Sequence, residues 1–163
     1  MPTLDLPPLE LSRARELDDE SLIRIIMQYH DAHVRDLMTA LELAQAVSAR
    51  HADSPDLPAR LPEQIADLLE DLRGHQAREE SVLFPVILCG RGETLRYPIA
   101  ALGTDHDTVQ VRLEQLVRLT RDYTPPEGAC ATWRRLYDVC RKFDRELREH
   151  VQLEERVLFP RFA

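Results

Sequence analysis

Apolar side chains recur at three- and four-residue steps in four stretches of the chain, and each stretch predicts an amphipathic helix. The first carries Leu22, Ile26, His30, His33, Leu37, Leu41 and Ala44; it opens at a cap on Asp18 or Asp19 and runs to about residue 50. Residues 51–62, HADSPDLPARLP, interrupt it with prolines and small polar residues. The second stripe is Ile65, Leu68, Leu72, His75, Glu79, Val82 and Val86, ending near Cys89-Gly90, with Pro85 loosening its last turns. GRGETLRYP, residues 90–98, reads as a linker. Leu102, His106, Val109, Leu113, Leu116 and Thr120 mark the third helix, and DYTPPEG breaks the chain again. The fourth runs from about Cys130 to Leu158 on Trp133, Leu136, Cys140, Phe143, Leu147, His150, Glu154 and Val157, and Pro160 ends it. No stretch alternates with period two. The expected fold is all-α: an antiparallel up-down-up-down four-helix bundle over residues 18–163, with residues 1–17 as an N-terminal arm.

Histidine and glutamate occupy stripe positions where leucine would be ordinary, and they do so twice. His75-x-x-x-Glu79-Glu80-x-Val82-Leu83-Phe84-Pro85 returns 75 residues later as His150-x-x-x-Glu154-Glu155-x-Val157-Leu158-Phe159-Pro160. His30-Asp31 returns as His106-Asp107, offset by 76. The i, i+4 spacing places His75 with Glu79, and His150 with Glu154, on one helix face. His30 and His106 add one imidazole each from the first and third helices. Counting at 1.5 Å per residue puts His30 and His75 roughly 20–30 Å from the loop that joins their helices. His106, early in its helix, and His150, late in the next, fall at the same end. His51 lies 21 residues after His30, about 31 Å along a continuous helix, and stays outside the group. His33 faces inward but corresponds to Val109 in the second half, so it reads as a core or supporting histidine.

Glutamate is almost never fully buried unpaired. Two inward glutamates and four inward histidines would each carry a desolvation cost that a cation removes, and facing helices are how bundles build metal sites. Two carboxylates suit two ions, each carboxylate giving one oxygen to each. Every ion would then have two imidazoles, two carboxylate oxygens and open positions for a small molecule. Nitrogen and oxygen donors suit iron, manganese or zinc, and spacing does not choose among them. Asp71 and Glu146, one turn before His75 and His150, are candidates to orient a ligand histidine or relay protons. Glu80 and Glu155 are rotated by about 100° from the ligand face and read equally as supporting or solvated charges.

Composition narrows the function classes. A net charge of −8 disfavours nucleic acid and anionic membrane surfaces. There is neither a membrane-length apolar run nor a secretory signal pattern. Cys89, Cys130 and Cys140 are odd in number and form no C-x-x-C pair, which points to a reducing cytoplasm.

QYHDAH at 28–33, RHADSPDLP at 50–58, HQAREESVLFP at 75–85, DHD at 105–107, TPPEGACATW at 124–133 and HVQLEERVLFPR at 150–161 resemble the hemerythrin-like, HHE cation-binding group. Within that group they look like the repair-of-iron-centres family, and the resemblance covers residues 22–161. It implies a non-haem di-iron centre, oxo- or hydroxo-bridged, with His30, His75, Glu79, His106, His150 and Glu154 as ligands and Glu79 and Glu154 bridging. It further implies a role in nitrosative and oxidative stress: restoring damaged iron–sulfur clusters, or handling nitric oxide, dioxygen, nitrite or peroxide at the two irons. Iron–sulfur client proteins would then be partners. A reversible binding or sensing module for dioxygen or nitric oxide is the alternative. Full-length members carry an N-terminal domain with adjacent cysteines. Residues 1–21 hold no cysteine, so the expectation is a di-iron domain without that part. Hemerythrins proper add a histidine four residues after the third-helix ligand; Gln110 stands there, which makes the site more symmetric and less like an oxygen carrier.

Overall fold

The computed structural model describes residues 10–91 and 95–162. Residues 1–9 of the expected arm, residues 92–94 of the expected middle linker and residue 163 lie outside the described residues. Among the described residues every regular element is helical. A five-residue helix, α1 (Leu11–Arg15), buries Ala14. The first long helix, α2 (Asp19–Arg50), starts where Asp18 Oδ1 accepts the Ser21 N–H at 2.7 Å, with Asp19 and Glu20 in the first turn suiting the helix dipole. The next, α3 (Leu61–Arg78), has Pro62 in its first turn, where the missing N–H costs nothing.

After α3 the backbone widens into a π turn over Glu79–Leu83 and then resumes as α4 (Phe84–Leu88). The Phe84 N–H reaches back five residues to the Glu79 carbonyl, which closes the π turn. Pro85 follows at once. Proline lacks an N–H and clashes with the carbonyl four residues back, so a wider turn is the local answer to a proline inside a continuing helix. The same arrangement closes the chain. α6 (Ala131–Leu153) passes into a π turn over Glu154–Leu158, closed by the Phe159 N–H on the Glu154 carbonyl, and then into a 3₁₀ turn over Phe159–Arg161 that contains Pro160.

The third long helix, α5 (Arg96–Leu119), begins earlier than expected. Arg96, Tyr97 and Pro98 belong to it rather than to the linker, because a first-turn proline sacrifices only an N–H that has no partner within the helix. Between α5 and α6, Arg121, Asp122 and Tyr123 all take left-handed backbone, with φ of 52°, 57° and 55°. Three such residues in a row are costly without glycine, and tertiary bonds hold them. The Tyr123 N–H donates to Thr120 Oγ1 at 3.1 Å, its carbonyl accepts from Arg141 Nη2 at 2.6 Å, and its hydroxyl donates to Asp144 Oδ2 at 2.9 Å.

Packing is most extensive between α2 and α6, then between α2 and α3 and between α3 and α5. The buried apolar residues fall into two clusters. The larger holds Leu37, Leu72, Val109, Trp133, Phe143 and Leu147; the smaller holds Ile26, Leu83, Phe84, Leu102, Leu158 and Phe159. α2, α5 and α6 carry residues of both clusters, and α3 reaches the second through its π turn and α4; the residues at the crossing are His30, His75, His106 and His150 with their glutamates. A polar layer thus lies between two dry ones. No described helix is long and apolar enough to cross a membrane.

Tyr123→Phe leaves the buried Asp144 with one donor fewer and relaxes the hold on the left-handed turn. It should lower unfolding stability by about 1–3 kcal/mol, read as a lower urea midpoint with unchanged slope.

Candidate metal centre

Six side chains meet in the polar layer, and they form two groups. His30, Glu79, His150 and Glu154 bring one donor atom each to within 4.8 Å of one another; so do His75, Glu79, His106 and Glu154. All six residues are buried, and both glutamates have 0% exposure. Each group takes one imidazole from each half of the sequence. The two carboxylates are common to both.

The contacts show how this sharing works. Glu79 Oε2 lies 3.2 Å from His30 Nε2 and Oε1 lies 3.2 Å from His75 Nε2. Glu154 Oε2 lies 3.1 Å from His106 Nε2 and Oε1 lies 2.9 Å from His150 Nε2. Of these close approaches only the last has hydrogen-bond geometry. Nε2 of His30, His75 and His106, both oxygens of Glu79 and Oε2 of Glu154 have no hydrogen-bond partner among the described residues. Inward-facing donor atoms that are close together, buried and unbonded fit a cation coordinated between them better than they fit each other. The donor set, imidazole nitrogen with carboxylate oxygen, suits iron, manganese or zinc.

Two buried carboxylates dominate the electrostatics. Burial raises the Glu154 carboxyl, but the charge of His150, the close approach of His106 and the His150 hydrogen bond outweigh it and hold the group well below the usual carboxylate range. Burial would lower His30; the close approach and charge of Glu79, with Glu154 and Glu80, turn the shift upward. His106 is pushed up to about 9, as its burial is outweighed by Glu154, Glu79 and Glu155. Without a cation, protons on these imidazoles balance the carboxylates. His33 is the opposite case: burial, then the neighbouring His150 and His30, drive it well below the ordinary histidine value.

Glu80 and Glu155 take part in the site. Glu80 Oε1 lies 2.6 Å from His30 Nδ1, and Glu155 Oε1 lies 3.2 Å from His106 Nδ1. Their rotation from the ligand face brings them to the seam with the neighbouring helix, where they reach the outer nitrogen of its histidine. Asp71 and Glu146 do not meet a ligand histidine. Asp71 accepts from Arg112, and Glu146 accepts from Lys142 Nζ at 2.9 Å and from Arg145. The carboxylate nearest His75 Nδ1 is Asp105, at 3.6 Å, itself held by Arg78 Nη2 at 2.7 Å. Its place directly before His106 was the available signal.

The repeated Leu-Phe pairs close the layer from above. Phe84 stacks on His30 with ring centroids 5.9 Å apart, and Phe159 on His106 at 6.0 Å. Tyr29 stacks on His150 at 5.8 Å. His51 belongs to neither group and packs on Trp133 in the loop-end cluster. A cavity of about 190 Å³ reaches His106 and Glu155 between α5 and α6, with Val109, Leu113, Leu147 and Val151 among its walls.

The raised His106 gives the metal-free fold a pH dependence. Its proton contributes stability that is fully present below the ordinary value of 6.5 and is lost as pH rises through about 9. The thermal midpoint of metal-free protein should therefore fall across that window, and Glu154→Gln should flatten the fall. A midpoint that does not move between those pH values contradicts the pairing.

Residues 21–162 match the hemerythrin HHE cation-binding domain. The chain is also similar to iron–sulfur cluster repair proteins YtfE. It is 41% identical over 137 residues to that of Yersinia pseudotuberculosis serotype O:1b (strain IP 31758), covering 84% of this chain and 62% of the relative. Against that of Yersinia pestis (strain Pestoides F) the identity is 40% over the same shares. The chain thus spans less than two thirds of the length of these relatives. The match runs through all four long helices and every residue of the two groups, and the chain belongs to the hemerythrin HHE cation-binding family.

Proposed function

We propose that His30, His75, Glu79, His106, His150 and Glu154 hold two non-haem iron ions in an antiparallel up-down-up-down, hemerythrin-like four-helix bundle running from residue 18 onward. The protein then serves the nitrosative and oxidative stress response, restoring damaged iron–sulfur clusters or handling nitric oxide and related small molecules at the two irons. The observation that carries this reading is the pair of four-residue groups sharing Glu79 and Glu154. Two groups with two imidazoles each and two common carboxylates are what a bridged pair of ions requires. The names of the relatives direct it to iron and to cluster repair.

Each residue has a distinct task. The four Nε2 atoms face the shared carboxylates and supply neutral donors once their protons leave. Glu79 and Glu154 each direct one oxygen to either group and neutralise positive charge that is buried with them. Glu80 and Glu155 hold the outer nitrogens of His30 and His106, which fixes ring orientation and makes the inner nitrogens better donors. Phe84 and Phe159 keep water from the upper face. Iron bound here supplies one-electron redox chemistry and open positions for a small ligand. The cavity beside His106 would admit a diatomic gas or a small oxyanion such as nitrite or peroxide. Cys89, Cys130 and Cys140 are free thiols, as a reducing cytoplasm allows.

Metal analysis and repair assays test the proposal together. Native protein should carry two irons per chain and should restore activity to a cluster enzyme inactivated by nitric oxide. Zinc or manganese in place of iron refutes the di-iron reading. A stable, fully reversible dioxygen or nitric oxide adduct with neither repair nor turnover replaces stress repair by a binding module. Glu80→Gln and Glu155→Gln should each weaken iron retention about 10- to 100-fold in competition with a ferrous chelator, with the fold intact by circular dichroism.

A further inference from the structure

The six residues treat the two halves of the chain alike, but the atoms behind them do not. Three of the four histidines have a carboxylate near the outer nitrogen: Glu80 at 2.6 Å from His30, Glu155 at 3.2 Å from His106 and Asp105 at 3.6 Å from His75. His150 has none. Its Nδ1 is buried without a hydrogen-bond partner among the described residues. Its ring neighbours are His30 at 4.9 Å, Tyr29 at 5.8 Å and His33 at 5.3 Å with planes tilted by 31°, and of these only His33 has both ring nitrogens unmet. As the rings lie, no hydrogen bond joins them; at that separation a reorientation of either ring would bring a His33 nitrogen to Nδ1.

His33 is itself unexplained by packing. It has 0% exposure, and neither ring nitrogen has a partner among the described residues. A buried polar atom left unmet costs about 1–3 kcal/mol, so an aliphatic side chain would serve the core better. The second half of the chain has one there: the offset that carries His30 to His106 carries His33 to Val109. His33 sits between Phe143, at 5.4 Å, and Tyr29, at 5.8 Å, and these two rings confine it against His150. Below it, Lys142 Nζ bridges Asp36 at 2.6 Å and Glu146 at 2.9 Å, so the nearby buried charges are already paired with one another.

We propose that His33 is the positioning residue for His150, accepting or donating the hydrogen bond at its Nδ1, and that it makes the His30–His150 group inequivalent to the His75–His106 group. The inference rests on the two-ion reading above. An imidazole orients His150 without the negative charge that carboxylates place behind the other three. Two sites with the same ligands then differ in how firmly and in what electronic state they hold an ion.

The test is iron release from the reduced, iron-loaded chain to a ferrous chelator, comparing wild type with His33→Val, which copies the second half, and His33→Gln, which keeps a hydrogen-bonding group. In His33→Val one iron per chain should leave at least about tenfold faster while the other keeps its wild-type rate. His33→Gln should stay within about threefold of wild type, because its amide can serve the same nitrogen. Release that is unchanged in His33→Val, that speeds equally for both ions, or that is as fast in His33→Gln as in His33→Val overturns the proposal. If His33→Val does not fold, the Mössbauer spectrum of the wild type decides. Two doublets of equal area support inequivalent groups, and a single doublet overturns them. Wild-type protein that binds fewer than two irons refutes the two-ion reading itself, a result separate from any of these.

Discussion

Two carboxylates with no access to water set the terms for everything around them. Glu79 and Glu154 have 0% exposure, and an ionised carboxylate taken out of water loses several kcal/mol of solvation that the interior must return. Four imidazoles face them, two to each carboxylate, and His150 and His106 hold Glu154 ionised against its burial. In the metal-free chain the balancing charge is protonic, carried on groups such as His106 that bind their protons tightly. Metal cations can take the place of those protons because the same nitrogens and oxygens serve both. Charge neutrality of the layer is the constant; the identity of the positive charge is the variable.

The backbone is shaped to meet that demand. Each glutamate opens a π turn, Glu79–Leu83 or Glu154–Leu158, and each π turn is followed within two residues by a proline. The wider turn lets a helix continue past a proline, and it advances the following residues around the helix so that Leu83-Phe84 and Leu158-Phe159 turn inward. Those residues make the dry cluster above the layer and place Phe84 and Phe159 on His30 and His106. The repeated Leu-Phe-Pro is therefore part of the site's architecture: it builds the cover, and the His-x-x-x-Glu-Glu before it builds the contents. Below, Leu37, Leu72, Phe143 and Leu147 form the other dry face. A polar layer between two apolar ones has low dielectric on both sides, which strengthens every charge interaction within it.

How much of this was legible in the sequence depends on which distances a helix itself determines. Inward direction follows from 3.6-residue periodicity, so all six residues of the two groups, and the exclusion of His51, could be read from spacing and rise. Pairing could not. Whether His30 shares a group with His75 or with His150 depends on how neighbouring helices sit, which no spacing along one helix encodes. Glu80 and Glu155 show the same limit. Periodicity places them about 100° from the ligand face but does not say that α2 and α5 stand there, each with a histidine nitrogen to hold. Asp71 and Glu146 were plausible supports by the i, i+4 rule, yet Arg112 and Lys142 claim them from other turns and helices. α5 begins at Arg96, inside the stretch that reads as linker, because a first helical turn accepts Pro98 without loss of a bond.

The halves are alike where function demands identical donors and different where it does not. The groups on the page share two carboxylates and take one imidazole from each half, which leaves no distinction between them at the level of donor atoms. Every distinction lies one contact further out. On the α2–α6 side there are stacked Tyr29, buried His33 and the Lys142–Asp36–Glu146 network, all under dense packing. On the α5 side Val109 replaces His33; cavities lie on both sides, one beside His106 and one beside His30 and Glu80. A symmetric donor set thus sits inside an asymmetric shell. The His30–His150 group has a carboxylate behind His30 only, whereas the His75–His106 group has one near the outer nitrogen of each histidine. That division follows from which contacts are duplicated and which are not, and it makes the surroundings of the histidines, rather than the histidines themselves, the seat of any difference between the two groups.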